Sequence, residues 1–193
     1  MQDYILPTVR YAGAIESVDT FDTDFRRPAE PLASVQSLQH VFASTIIQID
    51  KIRGQLLHKD TGLRNEVDNT SIREHLGFLV TSDRDIWYQR IQQIISDELP
   101  TFTEISIEDL VAQADWQNKP IDIIIGQFMR VRWNSSSQVC GLSESMFNRV
   151  AFHPQSGSIT LHEILQYRTE QDSYRLHAIH KLLDHAPGIE QAN

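Results

Sequence analysis

The chain contains a single cysteine, Cys140, among its 193 residues. An intramolecular disulfide is therefore excluded, and so are zinc sites that need several cysteines. Glycine is scarce as well, with eight residues scattered along the chain. No Walker loop, no dinucleotide-binding glycine fingerprint and no Gly-x-Ser-x-Gly turn occurs. These absences remove the commonest nucleotide-binding and serine-hydrolase signatures.

Basic charge is also in short supply. The chain has 17 Lys and Arg against 26 Asp and Glu, so its formal net charge is −9 with neutral histidines. Because nucleic-acid binding depends on cationic side chains that displace counterions, this charge disfavours nucleic acid as a partner. Long apolar runs are missing too: the densest stretch, IDIIIGQFM, is too short to span a bilayer and contains Asp122. With no signal-peptide pattern at the start, we expect an acidic, soluble, cytoplasmic protein.

Helical periodicity is the strongest pattern that the sequence contains. After Pro31, apolar residues recur at alternating steps of three and four, which predicts one long helix that ends near Gly62. The members of this stripe are Val35, Leu38, Phe42, Thr45, Ile49, Ile52 and Leu56.

Four further helix starts are predicted by pairs with capping-box spacing. In this motif a Ser or Thr hydroxyl and an acidic side chain three residues later bind free backbone N–H groups. The last pair predicts a helix, or a helix pair interrupted within RTEQDS, that runs through Ala186. The four pairs are Ser71 with Glu74, Ser82 with Asp85, Ser106 with Asp109, and Thr160 with Glu163.

The segment between residues 120 and 162 has a different composition. Its first part, IDIIIGQFMRVRW, is rich in β-branched residues and predicts a buried strand bent at Gly126. A loop with a returning strand in NSSSQVCGL and a hairpin around Pro154 to Gly157 follow. We therefore predict a mainly α, bundle-like fold, with the alternative of an α+β fold that has a small antiparallel sheet in residues 120–162.

Three regions are predicted along the chain. Residues 1–30 show no helical period and are expected to form an extended N-terminal arm, whereas residues 31–188 form a single globular domain and residues 189–193 a disordered tail.

The predicted arm carries the main functional expectation. Its segment SVDTFDTDF alternates acidic and aromatic residues, with Phe21 and Phe25 beside Asp22 and Asp24. Aromatic anchors dominate the binding energy of small interfaces, although an ordinary surface terminus has a similar composition. The sequence predicts a non-catalytic protein–protein interaction module, an adaptor or assembly subunit without a cofactor. It would bind a partner, or a second copy of itself, through the arm and the first helix.

A metal-dependent hydrolytic enzyme is the alternative function. In SYRLHAIHKLLDHAPG, the side chains of His177, His180 and Asp184 fall on one flank of the predicted last helix. Two imidazoles and a carboxylate can bind zinc or iron and leave coordination positions open for water. The same residues also suit the polar flank of an amphipathic helix, since histidines stabilise a helix C-terminus.

Arg130 and Arg132 form a candidate anion site. On the predicted strand they would share one face, about 7 Å apart, where two guanidinium groups can bind a phosphate or a partner's carboxylates. The solvated face of a half-buried strand is the alternative interpretation.

Overall fold

A computed structural model of the protein describes residues 32–65 and 69–188. The predicted arm (1–30) and the predicted tail (189–193) lie outside the described residues. Within the described ranges, short 3₁₀ turns at Trp116–Asn118 and Glu144–Asn148 connect longer elements. These elements are α1 (Val35–His58), α2 (Ile72–Thr81), a π-helix (Ser82–Trp87), α3 (Tyr88–Ser96), α4 (Ile107–Ala114), α5 (Ile121–Cys140), β1 (Val150–His153), β2 (Gly157–Thr160) and α6 (Leu161–His185).

Four helical segments form the body of the molecule. Both α1 and α2 pack against α5 and α6, so the four axes enclose one interior, and α4 packs on α2. The two strands form an antiparallel hairpin in which Val150 pairs with Thr160 and His153 with Gly157. The predicted fold class, mainly α with a small antiparallel sheet, is confirmed. In the described part of the chain, no helix combines the length and apolar character needed to span a membrane.

The first helix follows its sequence pattern closely. Every residue of the predicted stripe is buried, and the Ser34 hydroxyl accepts a hydrogen bond from the Ser37 N–H at the start of α1. Because the stripe recurs at helical spacing, it presents one continuous apolar face to α5 and α6. The helix ends after His58, four residues before Gly62.

Three of the four predicted caps are present. Ser71 with Glu74 and Thr160 with Glu163 form complete capping boxes, and the Ser106 hydroxyl accepts from the Asp109 N–H. The cap predicted at Ser82 is wrong, because that buried hydroxyl donates to the Leu79 carbonyl oxygen instead. The backbone then continues without a break into the π-helix.

The strand predicted in residues 121–133 is wrong, and so is the returning strand. Residues 121–140 form the single helix α5, because the side chains that are buried recur at helical spacing and burial outweighs β-propensity. The interruption predicted within RTEQDS is absent as well, since α6 runs unbroken from Leu161 to His185. The buried residues of α5 are Ile124, Ile125, Phe128, Arg132, Ser135, Ser136 and Val139.

Gly77 is required where α2 meets the indole of Trp116. A Cβ atom at position 77 would lie 2.1 Å from Trp116 Cγ, far inside van der Waals contact. The indole cannot retreat freely, because it is buried and its Nε1–H donates to Thr81 Oγ1 at 2.9 Å. This close approach lets α2 pack directly on the indole.

We expect Gly77→Ala to lower the free energy of unfolding by about 1–3 kcal/mol through overpacking. Gly54→Ala is the matched control, because a Cβ there meets no atom within 4 Å and α1 would gain about 1 kcal/mol of helix propensity. Urea unfolding of both variants checks the pair. Equal shifts of the same sign would contradict the assignment of a steric role to Gly77.

Candidate functional site: a buried ion-pair quartet and its cleft

Four charged side chains meet in the interior enclosed by the bundle. Asp83 comes from the π-helix, Arg132 from α5, and Arg168 and Asp172 from α6. None is more than 1% exposed, although charged residues are almost never fully buried unless they are paired. We call Asp83, Arg132, Arg168 and Asp172 the buried quartet.

Arg132 is the centre of the buried quartet. Its Nε–H donates to Asp83 Oδ2 at 2.6 Å, and its two terminal nitrogens bind both carboxylate oxygens of Asp172, with 3.0 Å between Nη2 and Oδ1. Nη1 also donates to the Thr45 hydroxyl oxygen on α1 at 2.8 Å. One guanidinium therefore joins α1, the π-helix and α6 to its own helix α5.

Arg168 closes the buried quartet from the other side. Its Nη2 lies 2.6 Å from Asp83 Oδ1 and 3.1 Å from Asp172 Oδ1. Each aspartate is thus bound by both arginines, and the two positive charges balance the two negative ones. Arg168 Nη1 further donates to Gln171 Oε1 at 3.3 Å, and Gln171 donates to the Tyr167 hydroxyl at 2.9 Å.

The ionic state of the buried quartet follows from its contacts. Burial alone would raise the pKa of Asp172, but the adjacent charges of Arg132 and Arg168 outweigh it and hold that pKa below its usual range. Burial would likewise lower the pKa of Arg132, and the two aspartates raise it above its ordinary value instead. Both groups are therefore charged at neutral pH.

Aromatic rings surround the two guanidinium groups. The central carbon of Arg132 lies 4.4 Å from the ring centroid of Phe42 and 5.4 Å from that of Phe128. Arg168 lies 5.7 Å from the Trp87 ring. These cation–π contacts stabilise cations that have lost their water. Because Phe42 and Phe128 belong to different apolar clusters, Arg132 contacts both halves of the core.

An open cleft adjoins the buried quartet. It has a volume of about 100 Å³ and lies between the start of the π-helix and the middle of α5. Asp83 belongs both to the quartet and to the cleft wall, and its side chain is fully buried, so the cleft lies directly beside the buried charges. The residues lining the cleft are Asp83, Arg84, Tyr88, Val131, Asn134 and Ser135.

A π-helix forms one wall of this cleft. The Tyr88 N–H donates to the Asp83 carbonyl oxygen, five residues earlier, which widens the turn. Segments of this kind are rare and frequently occur at functional sites. Arg84 is held by its neighbour Asp85, with 2.7 Å between Nε and Oδ1 and 2.6 Å between Nη2 and Oδ2. This pairing leaves Nη1 of Arg84 without a bond to Asp85.

The predicted anion site of Arg130 and Arg132 is not formed. On a helix, residues two positions apart point in different directions, so Arg130 is exposed whereas Arg132 is buried and bound to two aspartates. The expectation depended on a strand, and the correction follows from the helical geometry of α5.

The predicted metal ligands lie on the surface of α6. His177, His180 and Asp184 are all exposed. Across residues 32–65 and 69–188, no three His, Cys, Asp or Glu side chains are grouped so that they could hold a metal ion, and this trio is no exception. The predicted partner-binding residues Phe21, Asp22, Asp24 and Phe25 lie outside the described residues.

The sequence reasoning missed the buried quartet, although a signal for it exists. Asp83 falls in step with the apolar positions Leu76, Leu79 and Val80, and Asp172 falls in step with Ile164 and Leu165. A charged residue at a core position of an amphipathic helix must find an opposite charge when buried.

Removal of the central cation tests the energetic role of the buried quartet. We expect Arg132→Met to lower the free energy of unfolding by about 3–5 kcal/mol, since Asp83 and Asp172 would stay buried with a single guanidinium between them. Arg130→Met on the same helix is the matched control and should shift stability by less than about 0.5 kcal/mol. Denaturant unfolding at neutral pH measures the free energy of unfolding of both variants. Similar losses in the two variants would contradict the energetic role assigned to Arg132.

The lowered pKa of Asp172 predicts a defined acid dependence. Its stabilising contribution is complete above its unfolded-state pKa, near 3.8, and is lost as pH falls through the lower folded-state pKa. The stability difference between wild type and Asp172→Asn should therefore stay constant from pH 7 to about 5 and shrink below about pH 4. Urea titrations across this range measure it; a difference that does not shrink at all between pH 4 and pH 2 would contradict the ionic role.

Comparison with known proteins places the fold. No protein-family model and no curated protein sequence matches the chain. Among solved structures, the chain is similar to YfiT from Bacillus subtilis, described as a probable metal-dependent hydrolase with an unusual four-helix bundle topology. The TM-score is 0.70 at 14% sequence identity, and the match covers 83% of this chain and 93% of YfiT.

This similarity corrects the functional expectation. The predicted non-catalytic interaction module is contradicted, because the fold is shared with a protein described as a hydrolase. The alternative, a metal-dependent hydrolytic enzyme, agrees better with the comparison. Since the two sequences are 14% identical, the likeness establishes a shared four-helix bundle fold and no activity.

Proposed function

We propose that the protein is a hydrolytic enzyme that acts on a small polar substrate in the cleft between the π-helix and α5. The observation that carries this proposal is the position of the cleft, which opens beside the π-helix and has Asp83, a member of the buried quartet, in its wall. The similarity to a four-helix bundle described as a probable hydrolase supports the reaction class. The cleft has a volume of about 100 Å³ and is open to solvent, so it would enclose the reacting group of a substrate whose remainder lies outside.

The side chains of the cleft suit stabilisation of negative charge. Arg84, Tyr88 and Asn134 all carry hydrogen-bond donors at the cleft wall. Hydrolysis of an ester, amide or phosphate ester places negative charge on an oxygen in the transition state, and fixed donors lower the barrier to that step. We assign these three residues the role of binding the substrate oxygen on which the charge develops.

Two other residues of the cleft have structural roles in this proposal. The Ser135 hydroxyl donates to the Val131 carbonyl oxygen at 3.0 Å, so its proton is already engaged with the backbone of α5. Both oxygens of the Asp83 carboxylate accept hydrogen bonds from arginines, so this carboxylate is already engaged within the quartet. Water, rather than Ser135, is therefore the nucleophile that we propose: its oxygen bonds to the carbonyl carbon or phosphorus, its proton passes to solvent in the open cleft, and the bond to the leaving group breaks.

A survey with small chromogenic esters, amides and phosphate esters tests the reaction class. We expect one class to be hydrolysed by the wild type, and Asn134→Ala or Arg84→Ala to lower kcat by about 10²-fold, as the loss of one donor to a developing oxyanion does. Arg130→Ala, an exposed arginine on α5 outside the cleft, is the control that should retain full activity.

The same survey defines failure of the proposal. Hydrolysis that is equal in wild type, Asn134→Ala and Arg84→Ala would place the active site elsewhere. Absence of hydrolysis in all three substrate classes would contradict the reaction class itself. Far-ultraviolet circular dichroism on each variant separates a loss of activity from a loss of fold.

A further inference from the structure

YfiT is described as a probable metal-dependent hydrolase, so the residues of this chain can be checked for a set of ligands that would fit a metal ion. Bundle proteins that bind metals build the site in the interior from side chains of facing helices. In this chain the interior holds the buried quartet, where Thr45, Asp83, Arg132 and Asp172 join α1, the π-helix, α5 and α6. The question is whether any ligand set near this interior remains for a metal ion.

Histidine and cysteine are the first ligands to consider. All eight histidines and the single cysteine lie within the described residues, so the segments outside them can add only carboxylates. Of the histidines, only His75 and His153 are buried. The exposed ones are His40, His58, His177, His180 and His185, and His162 is half-buried with its Nε2 2.7 Å from the Ala33 carbonyl oxygen.

Neither buried histidine suits a cation in the bundle interior. His75 Nδ1 lies 3.2 Å from Nη1 of Arg175, so a divalent ion at this ring would face a neighbouring positive charge. His153 Nδ1 faces the backbone N–H groups of Gln155 and Ser156 at 3.4 and 3.3 Å, within its own hairpin. The two rings belong to different parts of the fold, α2 and β1.

The carboxylates of the interior are already bound to arginines. Both oxygens of Asp83 and both oxygens of Asp172 bind guanidinium nitrogens of Arg132 and Arg168. A divalent ion at these oxygens would have to displace an arginine or lie against two positive charges in a medium of low dielectric. The donor set therefore does not fit a metal.

We infer that Arg132 is the resident cation of this bundle and that the protein takes no divalent metal ion in its place. A guanidinium offers five donors in a fixed plane and remains charged when buried, so it can join two carboxylates and a hydroxyl from three directions. It thereby supplies the cross-link between helices that a metal ion gives in metal-binding bundles. This inference does not rest on the proposed hydrolytic activity, because its observables are binding and stability.

Metal binding by the full-length wild type is the decisive measurement. The protein is incubated separately with Zn²⁺, Ni²⁺, Mn²⁺ or Fe²⁺, passed over a desalting column and analysed for metal by mass spectrometry. We expect far less than one equivalent of each metal and the same Tm with metal as with a chelator, because an ion that binds the native state raises Tm. One retained equivalent together with a raised Tm would overturn the inference.

A variant tests the statement that Arg132 is the resident cation of the bundle. Arg132→Ala leaves a cavity that is lined by Asp83 and Asp172, and we expect a lower Tm that methylguanidinium at millimolar concentration partly restores. Wild type and the surface control Arg130→Ala should show no such rise. An Arg132→Ala protein with wild-type Tm would overturn the role of Arg132.

The two experiments fail in distinguishable ways. If Arg132→Ala does not fold, the metal measurement on the wild type decides the inference without it. If hydrolysis is absent while the wild type binds no metal, the proposed function fails and the inference stands. If hydrolysis is present and is lost with a chelator along with one equivalent of metal, the inference fails and the proposed function stands.

Discussion

The hydrogen bonds of the Arg132 guanidinium are the interaction on which the arrangement of the helices depends. It binds Asp83 on the π-helix, Asp172 on α6 and Thr45 on α1, and it is carried by α5. Apolar packing between helices tolerates changes of side chain as long as the total volume and the apolar pattern are kept. Hydrogen bonds with fixed directions to three neighbouring elements are less tolerant, so Arg132 holds α1, the π-helix and α6 in place against α5.

A buried ion pair is a weak source of net stability, because desolvation of the charges offsets their attraction. We therefore expect the buried quartet to contribute mainly by aligning the helices and by holding the π-helix that forms one wall of the cleft. Asp83 is bound by both arginines and also lines the cleft, so the π-helix is fixed relative to α5 at the point where the cleft opens. The buried quartet and the candidate site therefore share one residue, Asp83.

The sequence was sufficient where one residue and its near neighbours decide the structure. The α1 stripe and the caps at Ser71, Ser106 and Thr160 are local, and all were predicted. The error in α5 arose because its isoleucines favour a strand in isolation, whereas the burial of Ile124 and Ile125 in the bundle core decides the outcome. The buried quartet could not be identified from local patterns, since its hydrogen bonds join residues that lie 40 to 87 positions apart. Only the charges within apolar stripes indicated that such partners must exist.

These long separations bear on how the chain reaches its fold. An intermediate that buried Arg132 or Asp172 before α1, the π-helix, α5 and α6 were all docked would hold charges that are neither hydrated nor paired. Intermediates with two or three docked helices are therefore raised in free energy relative to both the unfolded and the native chain. Assembly of the four segments becomes an all-or-none event, and few half-open molecules with exposed apolar surface are left to aggregate.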